Sequence, residues 1–393
     1  MRLKSEDGVK FYRPYQRYQR VFLQSCTVMI VICIVCYTYV HFDGQDRAPN
    51  SFSRWNVRET LQNTFNKIAG QPQKIVRERK RIFLWTSFFS TVDWLPSTKE
   101  LNCPVQECDV ASNRSLLANS SAIILHWRNI NPDDLPSFLT SNEATNSPLV
   151  AIFNKESPSN TPMEVIHRIN NKIHLAITYR RDSDFYAPYG RIEKRKNTFT
   201  MPRFNASKRS VCWLVSNCQT SSSREIYVNK LRNYIDVDIY GTCGTKKCPY
   251  EHALDCYRML AERCKFYLSF ENSICKDYVT EKLFYALMFD MVPVVLGGSD
   301  YGSYLPPHSF IDVADFQNPK NLAKYLLEVA KDEAKYLSYF KWKETHEATS
   351  VPYLWLCDLC EMVHKSDVIV MKPRKDVISW WFKEANCGSF YDK

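Results

Sequence analysis

The sequence predicts an α/β protein in which two domains, each a parallel sheet with helices, face one another behind one membrane-spanning helix. Two observations carry this reading. From residue 81 onward β-like apolar runs alternate with helical stretches, and the run from Val21 to Val40 holds no charged residue. The 393 residues, 45% apolar and 24% charged, suffice for two ordinary domains and exclude a disordered or low-complexity chain. Lys and Arg number 52 against 42 Asp and Glu, a net charge of +10 dispersed along the chain, which argues against nucleic-acid binding.

Taken in order, residues 1–20 are a short basic tail, with Arg2, Lys4, Lys10, Arg13, Arg17 and Arg20. Residues 21–40 (VFLQSCTVMIVICIVCYTYV) rise by about 1.5 Å each as a helix and so match the ~30 Å hydrocarbon core of a bilayer. Only Arg47 follows before Asn50, so the positive-inside rule keeps the N-terminus cytosolic and sends the rest to the lumen as a type II anchor. A cleaved signal peptide is the alternative, but the apolar run is too long and no small-x-small cleavage site follows it. Residues 41–79 are polar with little periodicity and read as a stem; whether the protein forms a homodimer through it stays open.

The first α/β block, 80–208, has apolar runs at 82–89, 121–127 and 147–154, separated by turn-rich stretches such as Asn131-Pro132-Asp133-Asp134. The second, 209–350, reads strand 211–217, helix 223–234, strand 235–241, helix 252–264, strand 265–272, a helix near 278–290 and strand 292–298. Residues 318–346 then carry Leu322, Tyr325, Leu326 and Val329 at helical spacing. Residues 351–393 are a C-terminal segment.

Removing Cys26, Cys33 and Cys36 of the anchor leaves an even set: Cys103, Cys108, Cys212, Cys218, Cys243, Cys248, Cys256, Cys264, Cys275, Cys357, Cys360 and Cys387. An oxidising lumen favours disulfides over a zinc site, for which Cys357-x-x-Cys360 has the spacing but no partner motif. Asn113, Asn119 and Asn205 head glycosylation sequons.

Residues 265–298 hold the most chemistry. A strand delivers a polar loop, and a helix then starts around Tyr278 and Thr280-Glu281-Lys282. Strand carboxyl ends and helix N-termini suit a nucleotide phosphate, with Lys282 against a diphosphate, Glu281 against ribose hydroxyls and Asn272 against phosphate or sugar. An ordinary helix cap with a solvated Glu281 and Lys282 is the alternative for these residues taken alone.

The string FYLSFENSICKDYVTEK, followed by VPVVLGG, closely resembles the signature of the α1,3/4-fucosyltransferases of glycosyltransferase family 10, and the resemblance covers most of residues 82–387. It implies a type II Golgi membrane protein with a GT-B fold of two facing Rossmann-like domains. It also implies inverting transfer of L-fucose from GDP-fucose to GlcNAc of a glycoprotein glycan. By the same resemblance Tyr267, Asn272, Tyr278, Glu281 and Lys282 hold GDP-fucose. So do Ser216 and Asn217 of WLVSN and Arg224 seven residues on, an arginine that residue type alone would place on a helix surface. Glu156, in FNKESPSNTP, falls on the catalytic base, and Tyr179, in TYRRDSDFYAPYG, falls near the donor sugar or the acceptor. Arg180 and Arg181 of that string are read as positioning the two domains. The resemblance pairs Cys212 with Cys264, and Cys103 and Cys108 with Cys357 and Cys360, returning the C-terminal segment to the first domain; the other six cysteines stay unassigned.

Asp182-Ser183-Asp184 and Asp236-Val237-Asp238 imitate the Mn²⁺-binding pair of GT-A enzymes, but Ile235, Val237 and Ile239 alternate, putting both aspartates of the second on the outer face of a strand. No obligatory metal is expected, and a divalent cation is at most stimulatory. The alternatives are a Mn²⁺-dependent glycosyltransferase, which EDTA would inhibit, and a non-catalytic membrane-anchored glycan-binding relative. The cysteine-bearing string at 240–248 looks more like the invertebrate and plant branch that contains core α1,3-fucosyltransferases, so the acceptor, N-glycan core or LacNAc/Lewis type, is left open.

Overall fold

The computed structural model describes residues 78–140, 148–350, 353–365 and 371–392. The proposed tail, anchor at 21–40 and stem up to residue 77 lie outside the described residues, among which no helix is long and apolar enough to cross a membrane.

The chain from Arg77 onward is one compact unit with an α/β architecture built on two parallel sheets. The first contains β1 (Lys80–Leu84), β2 (Cys108–Ala111), β3 (Ala122–His126), β4 (Leu149–Asn154), β5 (Leu175–Thr178) and β6 (Phe185–Tyr186), in spatial order 2-1-3-4-5-6. After β7 (Gly190–Lys194), the second contains β8 (Arg209–Leu214), β9 (Val237–Tyr240), β10 (Cys264–Phe270), β11 (Val292–Leu296) and β12 (Ile311–Asp312), in order 12-11-10-8-9. β13 (His346–Ser350) pairs antiparallel with β7, Ala348 opposite Ile192.

Strands covered on both faces must be apolar throughout, and this explains the runs. Every residue of β3, β4 and β10 is buried. Phe266, Leu268 and Phe270 point into one core with Val228 and Leu231 of α2 (Arg224–Leu231), while Tyr267 packs with Tyr257 and Leu260 of α3 (Ala253–Arg263) on the other side. On the first sheet, α1 (Glu164–Ile169) covers one face with Val165, Ile166 and Ile169.

Several elements are shorter than their apolar runs. β1 stops at Leu84, because Phe88 and Thr91 bond each other in a tight turn that leaves Phe88 and Phe89 on a loop. The helix expected near 278–290 is α4, Glu281–Met288: Thr280 is extended, and Tyr278 lies in the buried loop before it. The helical stretch at 318–346 is broken into α5 (Pro319–Lys331) and α6 (Glu333–Ser338), followed by a 3₁₀ turn at Lys341–Glu344. Asp332 breaks it: non-helical itself, it accepts a cap bond from Lys335 N at 2.9 Å.

The C-terminal segment begins with α7 (Trp355–Val363), whose Trp355, Leu356, Leu359 and Cys360 join the core over β1, β4 and β5. Disulfides Cys103–Cys357 and Cys108–Cys360 bind it there. A π-helical turn at Ser379–Lys383 then packs Trp381 on Trp127 and Tyr179 of the first half. The tail goes on to the second half, where Phe390 N donates to Ser222 O at 3.2 Å and Cys387 bridges to Cys275. The remaining bridges are Cys212–Cys264, Cys218–Cys243 and Cys248–Cys256.

Closing a loop as long as that between Cys103 and Cys357 stabilises by about 5.5 kcal/mol on the chain-entropy account. Peptide mapping without reduction should recover all six linked pairs; free thiols at Cys357 and Cys360 would mean that α7 is held by packing alone.

Candidate active site

The carboxyl ends of both sheets open onto one cleft of about 650 Å³. β3 delivers His126, the β4 end delivers Lys155 and Glu156, the β8 end Ser216 and Asn217, and the β10 end Asn272. This is where parallel sheets bind ligands, because the strands end there and helix N-termini point in. Arg224 begins α2 and also lines the cleft, as do Tyr278, Thr280, Glu281 and Lys282 at the start of α4.

Glu156 is held by a rigid turn. Its backbone N–H donates to Asn154 Oδ1 at 3.2 Å, Pro158 follows in a 3₁₀ turn, and the neighbouring Ser157 hydroxyl meets Ser273 Oγ of the second half at 2.7 Å. The carboxylate is a quarter exposed and lies 3.7 Å from Arg128 Nη1. Burial pushes its pKa above the ordinary glutamate value, while the charges of Arg128 and Lys282 work in the opposite sense. A partly buried carboxylate with raised basicity, facing an open cleft, is suited to taking a proton.

Across the cleft lies a cationic wall. Lys282 Nζ donates to Thr280 Oγ1 at 2.8 Å and sits 3.3 Å from Glu271 Oε2 and 3.4 Å from Glu281 Oε1. Burial opposes its charge, but the two carboxylates outweigh burial and hold the ammonium above the usual lysine range. Arg224 is 2% exposed, with Nη1 donating to Phe270 O at 2.6 Å and Nη2 to Asn217 O at 3.1 Å. It is therefore a buried cleft arginine, not the surface one that its residue type suggested. Asn272 Oδ1 is buried without a partner among the described residues, an acceptor left for a ligand hydroxyl or N–H.

Two of the sequence-derived candidates stand behind the cleft wall. Tyr267 is fully buried, and its hydroxyl meets that of Tyr257 at 2.7 Å; Tyr257 is the residue that lines the cleft. Tyr179 is 1% exposed and packs edge-on against Tyr278, with ring centroids 4.9 Å apart. Arg180 is buried against Trp380, whereas Arg181 crosses to the second half, 3.5 Å from Asp277 and over the Tyr304 ring at 4.0 Å.

Neither Asp-x-Asp string forms a carboxylate pair. Asp182 pairs with Arg180 and Lys276, whereas Asp184 pairs with Arg374. Asp236 precedes β9 and is exposed, so only Asp238 lies on the strand, where it meets Lys246 at 2.6 Å. Cys357 and Cys360 are both in disulfides, and all three sequon asparagines are exposed.

Glu271 and Lys155 were not singled out in the sequence, nor were Tyr257 and Tyr285. Glu271 is 1% exposed and accepts from Thr280 N at 2.8 Å and from Thr280 Oγ1, so it fixes both the N-terminus of α4 and Lys282. Its only signal was a carboxylate directly after the alternating Phe266, Leu268 and Phe270. Glu271→Ala removes one of the two carboxylates beside Lys282 and leaves the buried Thr280 N–H without its acceptor, and is expected to cost about 2–4 kcal/mol. A urea titration checks this; a loss below about 1 kcal/mol would show that Lys282 is held without it.

Residues 204–380 match the profile described as "Glycosyltransferase family 10 (fucosyltransferase) C-term", and residues 77–190 match "Fucosyltransferase, N-terminal". The chain is 34% identical over 362 residues to "Alpha-(1,3)-fucosyltransferase C" of Drosophila melanogaster, covering 82% of each chain. It is 38% identical over 359 residues to "4-galactosyl-N-acetylglucosaminide 3-alpha-L-fucosyltransferase 9" of Mus musculus, covering 87% of this chain and 91% of the other. To "Glycoprotein 3-alpha-L-fucosyltransferase A" of Drosophila melanogaster it is 37% identical over 290 residues, covering 71% and 55%. The chain belongs to glycosyltransferase family 10, the fucosyltransferases.

Proposed function

We propose that this protein transfers L-fucose from GDP-fucose, with inversion, to GlcNAc of glycoprotein glycans in α1,3 linkage. The observation that carries this is one cleft with a basic carboxylate, Glu156, on one wall and Arg224, Lys282 and the α4 N-terminus on the other. The diphosphate lies against the cationic wall with Ser216 and Asn217 beside it, and Asn272, Tyr278 and Glu281 hold the sugar and ribose hydroxyls. Tyr267 and Tyr179 support this wall through Tyr257 and Tyr278 rather than by contact. Glu156 takes the proton of the acceptor hydroxyl as that oxygen attacks the fucose face opposite the diphosphate, and Lys282 and Arg224 balance the charge of the departing GDP.

The fold is read as GT-B type, with 80–208 the acceptor-side domain, 209–350 the GDP-fucose domain and 351–393 returning to the first. The reaction needs no obligatory metal, since cationic side chains and a helix N-terminus do the work of a metal ion. Residues 21–40 anchor the enzyme in the Golgi membrane as a single-pass type II protein with its catalytic part lumenal. Exposed sequons and six disulfides support that compartment.

Full-length protein in detergent, given GDP-fucose and EDTA, should fucosylate one class among N-glycan core, LacNAc and chitobiose acceptors. Loss of transfer in EDTA would sink metal independence. GDP binding without transfer to any acceptor would remove the acceptor assignment, and absence of GDP binding would remove the donor site.

A further inference from the structure

We propose that Lys155 is a further donor-binding residue, whose partly buried ammonium takes the diphosphate of the sugar nucleotide as its counter-ion. This rests on the donor-site reading above and adds to it a cation from the opposite half of the cleft. Lys155 lines the cleft with Arg224 and Lys282 but, unlike Lys282, forms no ion pair among the described residues. Its Nζ donates to Pro188 O at 3.1 Å and lies 4.0 Å over the Tyr189 ring, leaving donor capacity unused. Lys343, by contrast, is buried away from the cleft and has Asp290 at 3.3 Å and Phe289 O at 2.6 Å. An ammonium half withdrawn from water without a counter-ion is unfavourable, and a cleft residue in that state is completed when an anion arrives.

The titratable groups set against it are Tyr189 ahead of β7 and Glu281 at the start of α4, with Glu156 next to it in the chain. Burial lowers its pKa to about 8, and only the Glu281 charge resists. Near pH 8 the free enzyme therefore holds Lys155 partly neutral, and a diphosphate draws the proton back. Binding of GDP at pH 8, where its phosphates are fully ionised, should take up about half a proton. Affinity should weaken as pH rises from 7 to 9.

The test is calorimetric titration of the full-length protein in detergent with GDP at pH 8, in buffers of different ionisation enthalpy. The wild type should show the proton uptake. Lys155→Met should bind GDP about tenfold more weakly or worse, without uptake. Lys155→Arg keeps its charge at every pH, so it should bind GDP within about threefold of wild type and also take up no proton. It decides the matter if Lys155→Met does not fold. Uptake that persists in Lys155→Arg, or wild-type affinity in Lys155→Met, overturns the proposal while leaving the donor site intact. Failure of the wild type to bind GDP removes both.

Discussion

Glu156→Gln should lower fucose transfer by about a hundred- to ten-thousand-fold, the usual contribution of a positioned general base, and leave GDP affinity unchanged. The amide keeps the shape of the side chain and cannot accept the acceptor proton. Glu156 sits on the wall opposite Arg224 and Lys282, so the nucleotide loses no contact. The pH profile gives a second readout. The base must be ionised to work, and burial raises its pKa above 4.5. The acid limb of kcat/KM should therefore lie above the ordinary glutamate range, and in the variant this limb disappears with the activity. Transfer at the wild-type rate would take Glu156 out of the mechanism, and loss of GDP binding would make it a structural residue.

Lys282→Ala should weaken GDP binding by about 1.5–3 kcal/mol, roughly 10- to 150-fold, as a charge-assisted contact to phosphate is lost. Two effects must be separated here. Lys282 is also the counter-ion of the buried Glu271, so the variant loses stability as well as affinity. A second variant, Glu271→Gln, removes the same ion pair but keeps the lysine. If Lys282→Ala loses nucleotide affinity and Glu271→Gln loses mainly stability, Lys282 acts on the ligand. Equal loss of GDP affinity in both would mean that Lys282 acts through the geometry of the α4 N-terminus.

The sequence alone determined the class of fold and the chemistry on offer. Strands buried on both faces must be apolar along their whole length, so β3, β4 and β10 stood out, and a helix after a polar loop marked a phosphate site. Lys282 was legible from the strand, polar loop and helix start around it, whereas Glu156 and Arg224 became visible through the family resemblance, since a lone loop glutamate or a helix-terminal arginine carries little local signal. Periodicity could not show where elements stop. Asp332 breaks one helical stretch into two, and the Phe88–Thr91 turn ends β1 early.

Only the tertiary structure decided which groups meet. Ser157 and Ser273 are 116 residues apart in the chain, yet their hydroxyls meet at 2.7 Å and join the loop that carries Glu156 to the loop after β10. Tyr257 rather than Tyr267 reaches the cleft because successive β10 side chains alternate and Tyr267 is packed behind α3. Lys155 has no ion pair among the described residues, and Glu281, the one carboxylate whose charge reaches it, already lies 3.4 Å from Lys282. Burial and pairing are properties of three-dimensional neighbours, and these fix both the charge state of a side chain and whether a ligand is needed to complete it.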